Sequence, residues 1–319
     1  MFWIFGLHLL AILLSANLQA QCEVFEVRSH ASCMTDTPDD LLLQEHQRLG
    51  LAESGNGTTD SENREILATI YVDIWFHVIS SEAAAKMVSD EMVLAQLSAL
   101  QNAYKSASIS YRLQGVTRSI NDTWARNGDD LEMKKNLRKG SYSTLNIYFQ
   151  TGLQASHEGN GRLIPYDIDR QSDLSTGLTS LVLGFCTMPD PKINASSPRR
   201  DYVKDGCNVL ARTMPGGPLT GYNHGGTAIH EVGHWNGLLH TFQGESCSPD
   251  NDGDYITDTP QEAVPTQGCP SEKNSCPSCP GLDAIHNFMD YSSDECYESF
   301  TPGQIRRMRS MWSATREGK

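Results

Sequence analysis

The sequence predicts an α+β fold, on three observations. Segments rich in β-branched and aromatic residues, with one long helix among them, come first. A segment with histidines four residues apart follows at 230–240, and the tail beyond it is rich in Gly, Pro, Ser, Asp and cysteine. Taken in order, residues 66–79 (ILATIYVDIWFHVI) alternate locally and read as a core strand. From Ser89 to Lys105 the apolar residues Met92, Leu97, Leu100 and Tyr104 recur with helical spacing. Ser89 stands before Asp90 and Glu91 as an N-cap, which completes the helix signal. Leu145 to Phe149, Thr179 to Cys186 and Asn208 to Thr213 read as further strands. There is no internal repeat and no low-complexity tract.

With 319 residues, 39% of them apolar and 20% charged, the chain can bury a substantial core. A net charge of -14 argues against nucleic-acid binding, which wants a basic surface. Residues 1–20 carry no charge, and the apolar run from Met1 to Leu14 is too short to span a bilayer comfortably. Small residues follow at Ser15, Ala16 and Ala20, so 1–20 reads as a signal peptide cut near Ala20, leaving no membrane anchor. Residues 21–64 are polar and acidic and read as a pro-segment or N-terminal arm lying over the domain without packing as an element. Residues 65–319 remain as the main folded domain.

Nine cysteines, five of them between Cys247 and Cys296, read as a disulfide framework in an exported chain. Nine is odd, so at least one thiol is unpaired or pairs between molecules. Sequons at Asn56, Asn121 and Asn194 fit a glycosylating secretory route.

Residues 230–240 read HEVGHWNGLLH. His230 and His234 share one helix face, a single turn apart, and Glu231 lies beside them, turned away from direct ligation. In a straight helix His240 would stand ~9 Å beyond His234 and roughly 120° around the axis, too far to share a metal. Gly237 resolves this, because glycine can take φ > 0, end the helix and turn the chain back. Three neutral imidazoles and a water make the open site of a catalytic zinc. Glu231 is then the candidate general base. A structural zinc, a catalytically silent zinc-binding protein and an amidohydrolase of small substrates are the competing readings; the first gives Glu231 no task.

HEVGHWNGLLH also matches the H-E-x-x-H-x-x-G-x-x-H of metzincins, which carry a methionine turn downstream. Here HNFMDY supplies one, with Met289 as the candidate. With HTFQGESC, DGDYITDTPQE, CPSCPGLDAIHNFMDYSSDEC and FTPGQIRRM, the chain closely resembles the pappalysin-type metzincins, particularly their secreted fungal branch, over about residues 65 to 312. The resemblance implies a two-lobed domain, with a twisted mixed sheet and active-site helix above and an irregular, disulfide-stapled lobe after Gly237. It implies a secreted, monomeric, zinc-dependent endopeptidase acting on extracellular proteins and peptides. Met289 would form an apolar floor below the zinc, and Tyr291 would hydrogen-bond the tetrahedral intermediate, against the reading of a packing aromatic. Asn236 departs from the family, which usually has leucine there.

The same resemblance implies bridges Cys247–Cys276, Cys269–Cys296 and Cys186–Cys207, with Cys279 a competitor for Cys276. It marks Asp252, Asp254, Asp258 and Thr259 as a candidate calcium loop, against the reading of a solvated acidic loop. Asp294 and Glu295 fall where relatives line the pocket for the residue after the scissile bond, and either would favour Arg or Lys there. Cys33 lies where relatives carry a Cys-Gly pair whose thiolate can block the zinc, although Met34 replaces the glycine here. A plain Cys22–Cys33 bridge competes with that reading. If Cys33 does block the site, the leader would be cut near Arg64.

Overall fold

The computed structural model describes residues 31–55, 68–154, 156–157, 163–164, 181–244, 247–248 and 253–319. The expected signal peptide and Cys22, Asn56, Arg64, Thr179 and Asp252 lie outside the described residues. The strands are β1 (Ala31–Cys33), β2 (Ile70–Ser80), β3 (Ile109–Ile120), β4 (Leu145–Gln150), β5 (Ser156–His157), β6 (Leu163–Ile164), β7 (Leu181–Cys186) and β8 (Cys207–Leu210). The helices are α1 (Asp40–Gly55), α2 (Asp90–Ala103), α3 (Asp122–Ala125), α4 (Asp130–Leu137), α5 (Arg199–Tyr202), α6 (Gly226–Trp235) and α7 (Pro302–Met311).

One mixed sheet runs β1-β7-β8-β4-β2-β3, parallel throughout except between β7 and β8. On β2, Val72, Ile74, Phe76 and Val78 fall on one face by the two-residue period. They are buried with Leu100, Ile147, Phe149, Ala228, Val232 and Trp235, so α2 and α6 cover that face. The other face is closed by Ile79, Tyr148, Ala125 and Met133, the last two from α3 and α4. The α+β architecture is therefore the expected one, with α6 held against the sheet and β7 at its flank. Among the described residues, no helix is long and apolar enough to cross a membrane.

Several elements differ from the sequence expectation. β3 was missed: ISYRLQ alternates apolar and polar, but the strand pairs along one edge only and buries no residue beyond Tyr111. The strand expected at Asn208 to Thr213 stops at Leu210; a 3₁₀ turn, Ala211–Thr213, follows, and Thr213 Oγ1 donates to the Leu210 carbonyl at 2.8 Å. The helix expected at Ser89 to Lys105 closes at Ala103, with Ser89 accepting from the Met92 N–H as its cap.

The larger correction concerns the leader, which packs. β1 pairs in parallel with β7. Asp39 caps α1, accepting from the Leu42 N–H at 2.9 Å, and Leu42 and Leu49 bury against Met311. The third member of that helical stripe is His46, fully buried but polar, which hides the apolar pattern in the sequence. Arg307 of α7 donates to His46 Nδ1 at 2.7 Å, to Glu53 through two nitrogens, and to the Tyr255 carbonyl at 2.9 Å.

Below α6 the described chain is loop, stapled by Cys247–Cys276 and Cys269–Cys296; Cys186–Cys207 joins β7 to β8. Cys279 is free and donates to the Cys247 carbonyl at 3.1 Å. In the acidic loop, Asp258 caps α7, accepting from Gly303 N–H and Thr301 Oγ1, both at 2.7 Å. Asp254 turns inward, accepts from the Ile256 N–H at 3.0 Å, and burial pushes its carboxyl up to about 7. Asn194 is exposed, while Asn121 caps α3 by accepting from the Trp124 N–H. Beyond α7, buried Arg316 stacks on Trp235 and donates to its carbonyl. Asp205 holds both, accepting from Arg316 at 2.9 Å and from Trp235 Nε1 at 3.1 Å, so the chain terminus clamps the end of α6.

The leader contact should respond to pH. Nδ1 of His46 accepts from a guanidinium and must be neutral. Burial and the Arg307 charge push that imidazole down to about 3, against 6.5 for a free histidine. The charged groups around it are Arg307 and Glu53, with Asp254 facing Arg307 and the Tyr255 ring against the imidazole. A group depressed in the docked state stabilises docking fully above its free pKa, and that contribution is lost as pH falls towards the docked one. Between pH 7.5 and pH 5 this weakens α1 docking by about 30-fold. Hydrogen exchange along 40–53, corrected for its intrinsic pH dependence, measures the change. His46→Gln keeps an acceptor for Arg307 and should remove most of it; an unaltered response would refute the assignment.

Candidate active site

α6 is buried along its whole length and carries His230, Glu231 and His234. Its first turn is fixed by Asp294, which accepts from the N–H groups of His224 at 2.7 Å and Gly226 at 3.2 Å. A carboxylate there also complements the helix dipole. At the other end Gly237 is left-handed, with φ 89°. Gly237 N–H donates to the His234 carbonyl at 2.8 Å and Leu238 N–H to the Gly233 carbonyl at 2.9 Å. These are the paired bonds of a Schellman turn, and they reverse the chain so that His240 returns to the helical histidines. Asn236 is buried behind the helix, donating to Tyr111 Oη and the Val232 carbonyl.

His230 Nδ1 lies 2.7 Å from the Phe288 carbonyl, and His234 Nδ1 lies 2.8 Å from the Leu238 carbonyl. A carbonyl only accepts, so each Nδ1 carries the proton and each Nε2 keeps its lone pair. His234 Nε2 is 3.1 Å from both His230 Nε2 and His240 Nε2. Burial pushes His230 down to about 4 and holds His234 and His240 well below the ordinary histidine value. Neutral nitrogens with facing lone pairs repel unless a cation lies among them, and this donor set suits zinc. Cys33 Sγ joins them: the four ligand atoms all lie within 4.8 Å of one another. Among the described residues no other such group of His, Cys, Asp or Glu occurs.

Glu231 is 1% exposed, and burial pushes its carboxyl up to about 8 against the pull of two hydrogen bonds. Those come from Thr35 Oγ1 at 3.1 Å and Cys33 Sγ at 3.5 Å, both to Oε2, while Oε1 has no partner. Thr35 also accepts from the Cys186 N–H at 2.9 Å, which anchors it to β7. Met289 is fully buried against Gly233, where a Cβ would meet its Sδ at 2.3 Å. Tyr291 stands edge-on to His240 at 5.0 Å and donates from Oη to the Cys33 carbonyl at 2.9 Å. Phe242 stacks on His240 at 4.8 Å. Asp294, Leu183, Tyr222, Thr227 and Tyr297 line a cavity reaching His230 and Glu231, whereas Glu295 is exposed.

Sequence reasoning missed Gly233, Phe242, Gly184 and Thr35. Gly233 had a signal, since glycine inside a helical pattern often marks a close packing partner. Thr35 had none; only the pairing of β1 with β7 brings it to Glu231.

The family profile described as Pregnancy-associated plasma protein-A matches residues 195–313, a span that includes the three histidines and Met289. An extracellular metalloprotease of Aspergillus oryzae is 60% identical over 314 residues, covering 98% of each chain. The chain belongs to this family of pappalysin-type metzincins. The metalloprotease is also 59% identical over 312 residues to an extracellular metalloprotease of Aspergillus fumigatus, covering 98% of this chain and 97% of that one. A Neurospora crassa extracellular metalloprotease is 40% identical over 287 residues, 89% of each chain. The metalloprotease shares its fold with mature mirolysin of Tannerella forsythia in complex with a cleaved peptide, at TM-score 0.58 and 24% identity over 77% of this chain and 92% of that one. A promirolysin mutant gives TM-score 0.60 at 21% identity, covering 87% and 89%. The chain is a metalloendopeptidase, a metal-dependent hydrolase.

Gly184 gives a local test of this geometry. A Cβ there would lie 2.8 Å from Glu231 Cγ and Oε1 and 3.0 Å from the Asn208 carbonyl oxygen, which the sheet holds in place. Gly184→Ala should therefore displace Glu231 and slow peptide hydrolysis by about 10²-fold, since misplacements near 1 Å cost that much. Steady-state kinetics on the leader-free enzyme read the effect, and bound metal should be unchanged.

Proposed function

We propose that the chain is a secreted zinc endopeptidase in which His230, His234 and His240 hold the metal and Glu231 is the general base. The observation that carries this is the convergence of three histidine Nε2 atoms beside a buried carboxylate. Secretion is supported by relatives described as extracellular, by three disulfides and by the apolar first 20 residues. Zinc bound there supplies a Lewis acid for the scissile carbonyl and lowers the pKa of a water. Glu231 takes that water's proton on its carboxylate and returns it to the leaving amine. Tyr291 Oη, which here donates to a peptide carbonyl, would donate to the substrate carbonyl oxygen as negative charge develops. Protein and peptide chains are the substrates, laid along the cleft beside β7.

With its leader in place the enzyme is dormant in this reading. Cys33 Sγ would give up its proton to serve a bound zinc as fourth ligand, Tyr291 is occupied by the Cys33 carbonyl, and the leader fills the cleft as β1. Asp294 would set specificity: Oδ2 is committed to the α6 N-terminus, Oδ1 is buried without a partner, and the residue lines the cavity. It would favour Arg or Lys after the scissile bond.

Three outcomes are expected. Glu231→Ala abolishes hydrolysis of a casein-type substrate while leaving about one metal per chain, since the ligands stay and the base goes; appreciable residual activity would sink the assignment. Cys33→Ser in the intact chain is active at once, whereas wild type requires leader removal; equal activity from the start would leave the thiol without a latency role. In a peptide library, Asp294→Asn reduces the preference for Arg over Leu after the cleaved bond by about 10- to 100-fold, as loss of a charged hydrogen bond requires. A wild-type preference for apolar residues there would contradict the pocket reading.

A further inference from the structure

Lys273, in the C-terminal lobe, has no part in the chemistry above, yet its ammonium sits in a cage of oxygens. Nζ lies 2.9 Å from Glu262 Oε1 and 2.9 Å from Asp283 Oδ2, and 3.3 Å from Thr266 Oγ1, and it donates to the Val264 carbonyl. Glu262 and Asp283 have side chains 0% and 1% exposed, so both carboxylates depend on this one cation for balance. An oxygen cage of this kind ordinarily surrounds a bound metal ion; here a side chain fills it.

The cage connects to both halves of the metal site. Glu262 Oε2 accepts from Thr241 Oγ1 at 2.8 Å, and Thr241 directly follows His240. Thr241 N–H in turn donates to the Met289 carbonyl at 3.2 Å. Thr266, which donates to Glu262 Oε1, also donates its N–H to Asp290 Oδ1 at 2.9 Å, and the same oxygen accepts from Tyr291 N–H at 2.7 Å. The loop from 262 to 273 thus grips the residues next to His240 and next to Met289, and Lys273 closes it.

We propose that Lys273 is a positioning residue for the metal site, fixing His240 through Glu262 and Thr241 and the methionine turn through Thr266 and Asp290. This rests on the reading of His240 as a metal ligand. Partners behind a ligand that orient it typically change metal affinity or activity by about 10- to 100-fold when removed.

The test uses the leader-free enzyme loaded with cobalt(II), whose visible spectrum reports the geometry of its ligands. Lys273→Met and Thr241→Val should each alter that spectrum and speed metal loss to a chelator by about 10- to 100-fold. In each, kcat should fall while KM stays within about twofold, and the double variant should be less than additive because both act along one path. Thr241→Val removes one hydroxyl and serves where Lys273→Met does not fold. Variants that lose thermal stability but keep the wild-type spectrum and chelation rate would overturn the proposal, as would full additivity. A wild type that binds no cobalt would instead refute the reading of the three histidines.

Discussion

Two Nε2–Nε2 contacts of 3.1 Å between neutral imidazoles cannot be stable by themselves, and much of the chain is arranged to hold them. The sheet presses α6 from one side through Val232 and Ala228, and the C-terminal Arg316 clamps its end over Trp235. The Phe288 and Leu238 carbonyls fix two ring tautomers, so the lone pairs point inward whether or not a metal is bound. Gly237 supplies the reversal that a continued helix would forbid, and Gly233 supplies the gap that Met289 fills. Each of these devices is local, but all converge on one point in space.

The leader answers the same constraint from the other side of the cleft. The Cys33 sulfur beside three imidazoles completes a four-donor set, and the strand that carries it is held by the register of β1 on β7. α1 adds a second anchor far from the cleft, where Arg307 gathers His46, Glu53 and the Tyr255 carbonyl. The contacts at the cleft and at α7 are thus separate.

The local motif was readable because its spacing carries geometry: His230 and His234, four positions apart, lie one helix turn apart, and a glycine three residues on means a reversal. The strands of the sheet centre were readable because β-branched and aromatic residues dominate β2 and the middle of β4, and β4 is buried along its whole length. What sequence could not supply was pairing between distant segments. β3 alternates but is half exposed along its length and breaks its apolar pattern after Leu113, α1 hides its apolar stripe behind a buried histidine, and Thr35 matters only because a leader strand lies against β7. Asp294 and Glu295 are neighbours in sequence, yet one is buried at the head of α6 and the other faces water. That division follows from which of the two reaches the free N–H groups of Gly226 and His224.

The account stands or falls on what surrounds the metal in the intact chain. X-ray absorption at the zinc edge of the purified chain with its leader in place measures this directly. Three nitrogen scatterers near about 2.0 Å and one sulfur near about 2.3 Å are expected. After leader removal the sulfur should vanish and an oxygen take its place. A sulfur-free shell in the intact chain would contradict the leader's role, and a shell without three histidine nitrogens would contradict the site itself.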